Sequence, residues 1–389
     1  MSKCQTKKLG DICDIQSGGT PSRSKNEYWV HGTIPWVKIS DINSKFINKT
    51  EELITEFGLE NSSAKIFTKG TIIYTIFATI GEVAILNCNA CTNQAIAGIK
   101  ILNNNVSTEY LYHYLVHKKE EVKALSRGVA QNNINLTLLR ALEIDIPVAS
   151  EQKMKSEVLN KVCSIIEARK IQLLELDKLA KSRFIEMFGR CSEDKFGWGL
   201  KTLEDCCVIN PQKTTDSRLK PGLEVSFCPM PYISEKGEIK TDDIIIYDKV
   251  KSGFTYFAEN DVLFAKITPC MENGKGAIAR NLKNGIGFGS TEFHVLRPKK
   301  EMITPEWLYF LTTFQQFRKD AENNMTGSAG QRRVPANFLK KYRVSVPPKS
   351  LQYEFARILQ QLDKSKFRIK KSLEKLELTY KALLQEYFG

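Results

Sequence analysis

Two long stretches, 150–188 and 350–388, contain neither proline nor glycine and space their apolar residues alternately three and four positions apart. In the first the stripe is Val158, Val162, Ile165, Leu173, Leu176, Ala180 and Met187. In the second it is Ile358, Leu362, Ile369, Leu373, Leu376, Tyr380, Leu383 and Tyr387. This spacing predicts two long helices with one apolar seam each, as in a coiled coil. Ser150 and Ser350 follow Pro147 and Pro347-Pro348 and are the expected N-caps, and Gly189 and Gly389 stand where a helix-ending glycine belongs. At 1.5 Å per residue such a helix is ~57 Å long, which exceeds the width of a domain of about 150 residues. The seam therefore needs a partner, and the obvious one is the other helix, run antiparallel. Arg169, Arg183 and Ser365 interrupt the seam, and steps of four at 165, 169 and 173 break a strict heptad.

The residues before each helix have a different pattern. Short β-branched and aromatic runs at 71–77, 83–86 and 95–101 read as strands, with counterparts at 262–267 and 293–296. Helices are expected at 108–126 and 304–322, each starting at a threonine cap. Gly/Ser/Pro clusters such as 17–22 read as loops.

The whole pattern occurs twice. Phe184-Ile185-Glu186-Met187-Phe188-Gly189 is answered by Leu384-Gln385-Glu386-Tyr387-Phe388-Gly389, and Gln152 by Gln352. Gln131 to Ile134 is answered by Gln331-Arg332-Arg333-Val334, and Glu109-Tyr110-Leu111 by Glu306-Trp307-Leu308. Ile34-Pro35-Trp36-Val37 matches Met230-Pro231-Tyr232-Ile233, Gly70 to Tyr74 matches Asn260 to Phe264, and Leu9 to Cys13 matches Leu203 to Cys207. The matches keep their order, so the chain reads as two diverged copies of one unit. The expected division is a domain at 1–149, a long helix at 150–189, a second domain at 190–349 and a second helix at 350–389. The fold class is α+β: two β-rich mixed domains separated by an antiparallel helix pair, with internal pseudo-two-fold symmetry.

Composition narrows the function. The chain has 389 residues, 42% hydrophobic and 26% charged, a core-forming composition that rules out a largely disordered chain. No apolar run approaches the ~18 residues of a membrane helix, and residues 1–8 lack an apolar signal-peptide core. The ten cysteines then read as reduced thiols of a cytoplasmic protein. The formal net charge is +13, spread through all four segments, which favours a polyanionic partner, nucleic acid first, or else marks only a soluble basic protein.

At this point the chain resembles the specificity subunits of type I restriction-modification enzymes. The resemblance rests on Leu9-Gly10-Asp11-Ile12 followed by Gly18-Gly19-Thr20-Pro21-Ser22, then on residues 34–42 and 260–267, and on Pro147 and Pro347-Pro348 before long helices with an early glutamine. It covers essentially the whole chain. It implies two target-recognition domains that each read half of a split sequence in double-stranded DNA. It implies long helices that serve as spacer and as docking surface for two methyltransferase subunits, with restriction/translocase subunits joining that core. It also implies a non-catalytic subunit with no cofactor of its own, the methyl donor, ATP and Mg being on partner subunits, and no membrane partner.

If the copies read different half-sites, they share scaffold and phosphate contacts and differ where they read bases. Pro35-Trp36 and Pro231-Tyr232 are then scaffold. The loops with Arg127 and Gln131 in one copy and Gln331, Arg332 and Arg333 in the other carry glycines and polar side chains suited to phosphates or base edges, or are plain loops into the last strand. Divergent stretches at 20–33, 43–66, 76–82, 211–229 and 265–289 hold or adjoin further candidates: Arg23, Lys25 and Lys38, and Arg218, Lys266 and Lys275.

Catalytic readings find little support. There is no Gly-x4-Gly-Lys-Ser/Thr phosphate loop, and the segments at 210–212 and 346–349 lack the Asn/Asp-Pro-Pro-aromatic box of an adenine-flipping site. Cys88, Cys91, His113 and His117 have the order of a zinc site, but the 21-residue gap exceeds the usual spacing and the second copy has Phe310 and Phe314 for the histidines, so no metal is expected. Two alternatives remain: the recognition subunit of a related methylation or phage-defence complex, and a coiled-coil scaffold that binds protein.

Overall fold

The β-rich runs pair into sheets whose strand order repeats along the chain, in a computed structural model that describes residues 5–103, 105–126, 134–190, 193–328 and 330–389. The chain forms two compact units, Met1–Ile171 with Lys370–Gly389, and Gln172–Ile369. Each unit thus takes in part of both long helices.

In the first unit Gln5–Lys8 pairs antiparallel with Glu143–Ile146, which closes the domain just before the long helix. A five-stranded sheet has the order Cys13–Ser17, Ile96–Ile101, Ile72–Thr75, Val83–Leu86, Phe46–Ile47. A three-stranded sheet sets Ile34–Val37 between Glu52–Ile54 and Cys91–Thr92, parallel to the latter. The helix Thr108–Ser126 buries Tyr110, Leu111, Leu115 and Val122 against Ile72, Tyr74, Ile85 and Ile99. Its cap is Ser107, whose hydroxyl accepts from Tyr110 N at 3.2 Å, and not Thr108 as expected.

The second unit repeats this plan. Leu200–Thr202 pairs with Arg343–Ser345. One sheet runs Cys207–Ile209, Phe293–Pro298, Val262–Ala265, Gly276–Ile278, and the other runs Ile244–Ile246, Glu224–Cys228, Ile286–Gly289, Thr255–Ala258. Here Glu224–Cys228 lies parallel to Ile286–Gly289. It is therefore the counterpart of Ile34–Val37, and Met230–Tyr232 is a separate 3-10 turn that follows it. The match of Pro35-Trp36 to Pro231-Tyr232 was a coincidence of residue type. Thr304 does cap its helix, accepting from Trp307 N, but the expected helix 304–322 breaks at Phe314 into Pro305–Thr313 and Gln315–Asn323. Thr312 and Thr313 donate their hydroxyls back to Tyr309 O and Phe310 O, local bonds that compete with continued helix.

The long helices span Ala149–Phe188 and Lys349–Phe388, 40 residues each. Ser150 and Ser350 lie inside the first turn and are not N-caps. The early glutamines secure these ends instead. Gln152 accepts from Ser107 N and donates to Asn105 O and Pro147 O, and Gln352 accepts from Thr304 N and donates to Met302 O and Pro347 O. Both glutamines are buried, and each satisfies three backbone groups around the start of its helix. Gly189 ends its helix at φ +66, as expected.

The helices run antiparallel within each unit. In the first, Lys155 Nζ reaches Tyr387 O at 3.5 Å, and Lys170 pairs with Glu377 at 3.9 Å. In the second, Asp177 pairs with Lys366 at 2.6 Å and Phe184 meets Phe355 at 5.2 Å. The seam differs from the expected one at two positions: Val158 and Ile165 are both 38% exposed, and Leu159 and Ile166 are buried in their place. The true stripe includes Gln152, Ser156 and Cys163, polar positions that an apolar count does not mark. Leu362 is buried, and Val162, Leu173, Leu176, Ile358, Ile369, Leu373, Leu376 and Leu383 are half-buried.

Each helix tip completes a domain. Phe184 and Phe188 belong to the core of the second unit, where Phe184 contacts Phe310, Phe314 and Phe355. Phe388 packs on Tyr110, Tyr114 and His117 of the first.

Candidate nucleic-acid interface

In the second unit, the strand Val262–Ala265 leads into a loop at 266–275 that lies beside residues 326–334. Val334 N donates to Lys266 O at 2.9 Å, Thr268 N donates to Arg332 O at 3.1 Å, and Ala265 N donates to Lys275 O at 3.3 Å. This lacing brings Lys266, Lys275, Gln331, Arg332 and Arg333 together at one edge of the fold. Arg318 holds the loop from beneath, donating Nη1 to Met271 O and Nη2 to Gly274 O while Nε caps Thr312 O. It is buried, and burial lowers its guanidinium to about 10.

The cations of this edge differ in freedom. Arg333 donates Nε and Nη2 to the Glu292 carboxylate at 2.9 Å each, and that guanidinium pulls the carboxyl below its ordinary value. Arg332 stands 4.0 Å from both Glu272 and Glu322, a loose sharing. Gln331 is exposed, with its carbonyl accepting from Arg333 Nη1. Among the described residues, Lys266 and Lys275 form no ion pair within 4.0 Å. The edge can therefore offer two lysines and Arg332 to a phosphate or base, with Arg333 pre-oriented by Glu292.

Arg218 is not part of it. It sits by the other sheet, where Nε and Nη2 grip Asp216 at 2.9 and 2.7 Å; Asp216 also accepts from Tyr256 Oη at 2.6 Å. The guanidinium holds the Asp216 carboxyl far below the carboxylate range. With its fork occupied, Arg218 serves the scaffold.

In the first unit, Arg23 and Lys38 gather by the small sheet. The Arg23 guanidinium lies 3.7 Å from the Trp29 ring centroid and 4.8 Å from that of Trp36, and it pairs with Glu52 at 2.5 Å. Lys38 bridges Glu51 and Glu52 at 2.8 and 2.9 Å. Lys25 donates to Tyr28 Oη. Trp36 is buried and donates Nε1 to Gly19 O, which makes it scaffold as expected. A phosphate would have to displace Glu51 or Glu52 to engage Arg23 or Lys38. Arg127 and Gln131 lie outside the described residues.

Counting cations missed their acidic partners, Glu52, Asp216 and Glu292, and the buried anchor Arg318. No spacing signal marks the pairs of Arg23 with Glu52 and Arg333 with Glu292, which lie 29 and 41 residues apart; Asp216, two residues from Arg218, was within reach of a local reading. The zinc-like quartet is not assembled. His113 is buried with Nδ1 on Tyr380 Oη at 2.8 Å and Nε2 on Asn160 Oδ1 at 2.7 Å, while the His117 ring lies tilted against Phe388. Burial lowers His113 to about 4. Among the described residues, no group of three His, Cys, Asp or Glu side chains is placed to hold a metal ion.

A model of the type I restriction modification DNA specificity domain matches residues 1–176 and again 196–379. The type I restriction enzyme EcoEI specificity subunit of Escherichia coli is 35% identical over 55% of this chain and 37% of its own length. The EcoAI specificity subunit of the same organism is 37% identical over 54% and 36%. This chain thus spans little more than a third of either. The MjaIX specificity subunit of Methanocaldococcus jannaschii is 26% identical over 97% of this chain and 91% of its own. Among solved structures, the type I restriction-modification S subunit of M. genitalium aligns with a TM-score of 0.53 at 16% identity, over 100% and 96% of the two chains. A chain solved in work on complex assembly and conformational transition of the type I R-M system aligns at 0.56 and 17% identity, over 98% and 97%; both likenesses bear on the fold alone. With its model matched twice over most of the length, the chain belongs to the family of the type I restriction modification DNA specificity domain.

Proposed function

We propose that this chain is the DNA-recognition subunit of a type I restriction-modification system, non-catalytic, and reads a split duplex target with one half-site per unit. The observation that carries this is the duplication itself. Gln152 and Gln352 make equivalent bonds in equivalent places, and the strand order is repeated, yet the strand-end loops at 76–82 and 266–275 differ in chemistry. A shared scaffold with divergent edges suits two readers of different base sequences. The names of the relatives and the net charge of +13 support the same reading.

In this reading two methyltransferase subunits dock on the paired helices, restriction/translocase subunits join that core, and the methyl donor, ATP and Mg are held by those partners. The assembly works in the cytoplasm. No helix among the described residues is long and apolar enough to cross a membrane.

Binding of the chain to duplex DNA, measured against salt, is expected to fall linearly on log–log axes. A protein-binding scaffold would give no such duplex binding. Co-purification with an N6-adenine methyltransferase distinguishes a restriction-modification subunit from a recognition subunit of a different defence assembly.

The paired helices set the gap between half-sites. Removing seven residues from each, two turns or ~10 Å, should shorten the tolerated gap by about three base pairs and leave the half-sites unchanged. Methylome mapping reads this directly, and altered half-site bases with an unchanged gap would sink it.

A further inference from the structure

We propose that Phe77 is a base-contacting, specificity-determining residue of the first unit, an assignment that rests on the DNA-recognition reading. Phe77 lies in the connection between strands Ile72–Thr75 and Val83–Leu86. Its apolar neighbours Ile76 and Ile80 are buried, but Phe77 is 39% exposed. An aromatic ring left in water at a strand end has no use in the core.

The turn that presents it is fixed. Thr75 is fully buried; its hydroxyl donates to Thr79 O and accepts from Glu82 N at 2.9 Å, and its carbonyl accepts from Gly81 N at 3.0 Å. Within that lacing Ala78 is held at φ +60, where L side chains rarely rest. Glycine would be relaxed there, and alanine narrows the alternatives open to the loop. A strained, over-determined loop beside an exposed functional group is a recurrent feature of binding sites.

Its place in the fold gives a second, independent argument. Ile134 N donates to Ile76 O, as Val334 N donates to Lys266 O, so positions 76 and 266 are equivalent. Among the described residues, that edge shows Lys266, Arg332 and Arg333 in the second unit and Phe77 in the first, inside a stretch where the copies diverge. An uncharged ring has nothing to offer a phosphate. It suits the face of a base, a thymine methyl or an unstacked step. Phe77 therefore adds sequence preference without adding salt dependence.

The test uses the full chain and a duplex library randomised in two blocks. Wild type should select a preferred sequence in both blocks. Phe77→Ala should flatten the preference at one or two adjacent positions of one half-site by about tenfold, with the other half-site and the salt slope unchanged. Ala78→Gly, which keeps the ring and loosens its presentation, should flatten the same positions less. Unfolding midpoints are followed alongside; if Phe77→Ala shifts its midpoint, Phe77→Leu and Ala78→Gly at the wild-type midpoint decide. An unchanged profile in these variants, or an equal loss at every sequence, overturns the assignment while the recognition reading stands. A wild-type chain with no sequence preference overturns that reading and this assignment with it.

Discussion

Phe184→Ala is expected to destabilise the second unit by about 3–5 kcal/mol, the cost of removing a buried aromatic from a site that cannot collapse. Phe184 is fully buried, with ring centroids of Phe188, Phe310, Phe314 and Phe355 all within 5.7 Å. Those neighbours come from its own helix, from the helix Pro305–Thr313 and the break at Phe314 that ends it, and from the start of the other long helix. The cavity would therefore open at a junction of elements far apart in sequence. Amide exchange by segment should place the loss in 200–345 and spare 5–146. The control is Val158→Ala, at a surface position, with an effect within about 0.5 kcal/mol. An exchange pattern unchanged at 200–345 would mean that the helix tip is not part of that core.

Arg297→Met is the second large effect. Asp261 is buried, and Arg297 donates Nε and Nη2 to it at 2.7 Å each, with Ala258 N as a third donor at 2.7 Å. Burial pushes the Asp261 carboxyl up, and the guanidinium opposes that push. Removing one partner of such a pair leaves a buried charge, at a cost of about 3–5 kcal/mol. Arg218→Ala, which breaks a half-exposed pair with Asp216, should cost no more than about 1 kcal/mol. Chemical denaturation of both variants provides the comparison. Adding Asp261→Leu to Arg297→Met should recover part of the loss, because an apolar pair needs no compensation. Equal losses in the Arg297 and Arg218 variants would show that burial does not separate the two pairs.

Much of the architecture was legible before folding. The long helices were marked by the absence of proline and glycine and by a three-four apolar rhythm, both local properties. The duplication was marked by ordered matches, and it correctly linked Gln152 to Gln352 and Glu109 to Glu306. Where the match rested on residue type alone, at Pro35-Trp36 and Pro231-Tyr232, it failed, because a Pro-aromatic pair fits a strand and a 3-10 turn equally well. The seam shifted from Val158 and Ile165 to Leu159 and Ile166 because the buried Gln152 and Ser156 and the half-buried Cys163 belong to it and hydrophobicity does not mark them.

The candidate interface was less legible. Lysines and arginines could be located, but not their partners. Glu52 lies 29 residues from Arg23, and Glu292 lies 41 from Arg333. Whether a cation is spent inside the scaffold or left for a ligand is a question of such distances.

The sequence alone determined the elements, their duplication and the family, since backbone propensity, apolar periodicity and motif order are all written along the chain. Only the tertiary structure decided that each domain is completed by the tip of the helix that follows the other copy, that Arg218 is tied to Asp216 while Lys266 forms no ion pair among the described residues, and that Phe77 is presented on a strained turn. These are pairings between distant residues, and their energy depends on burial and geometry that exist only once the chain has closed on itself.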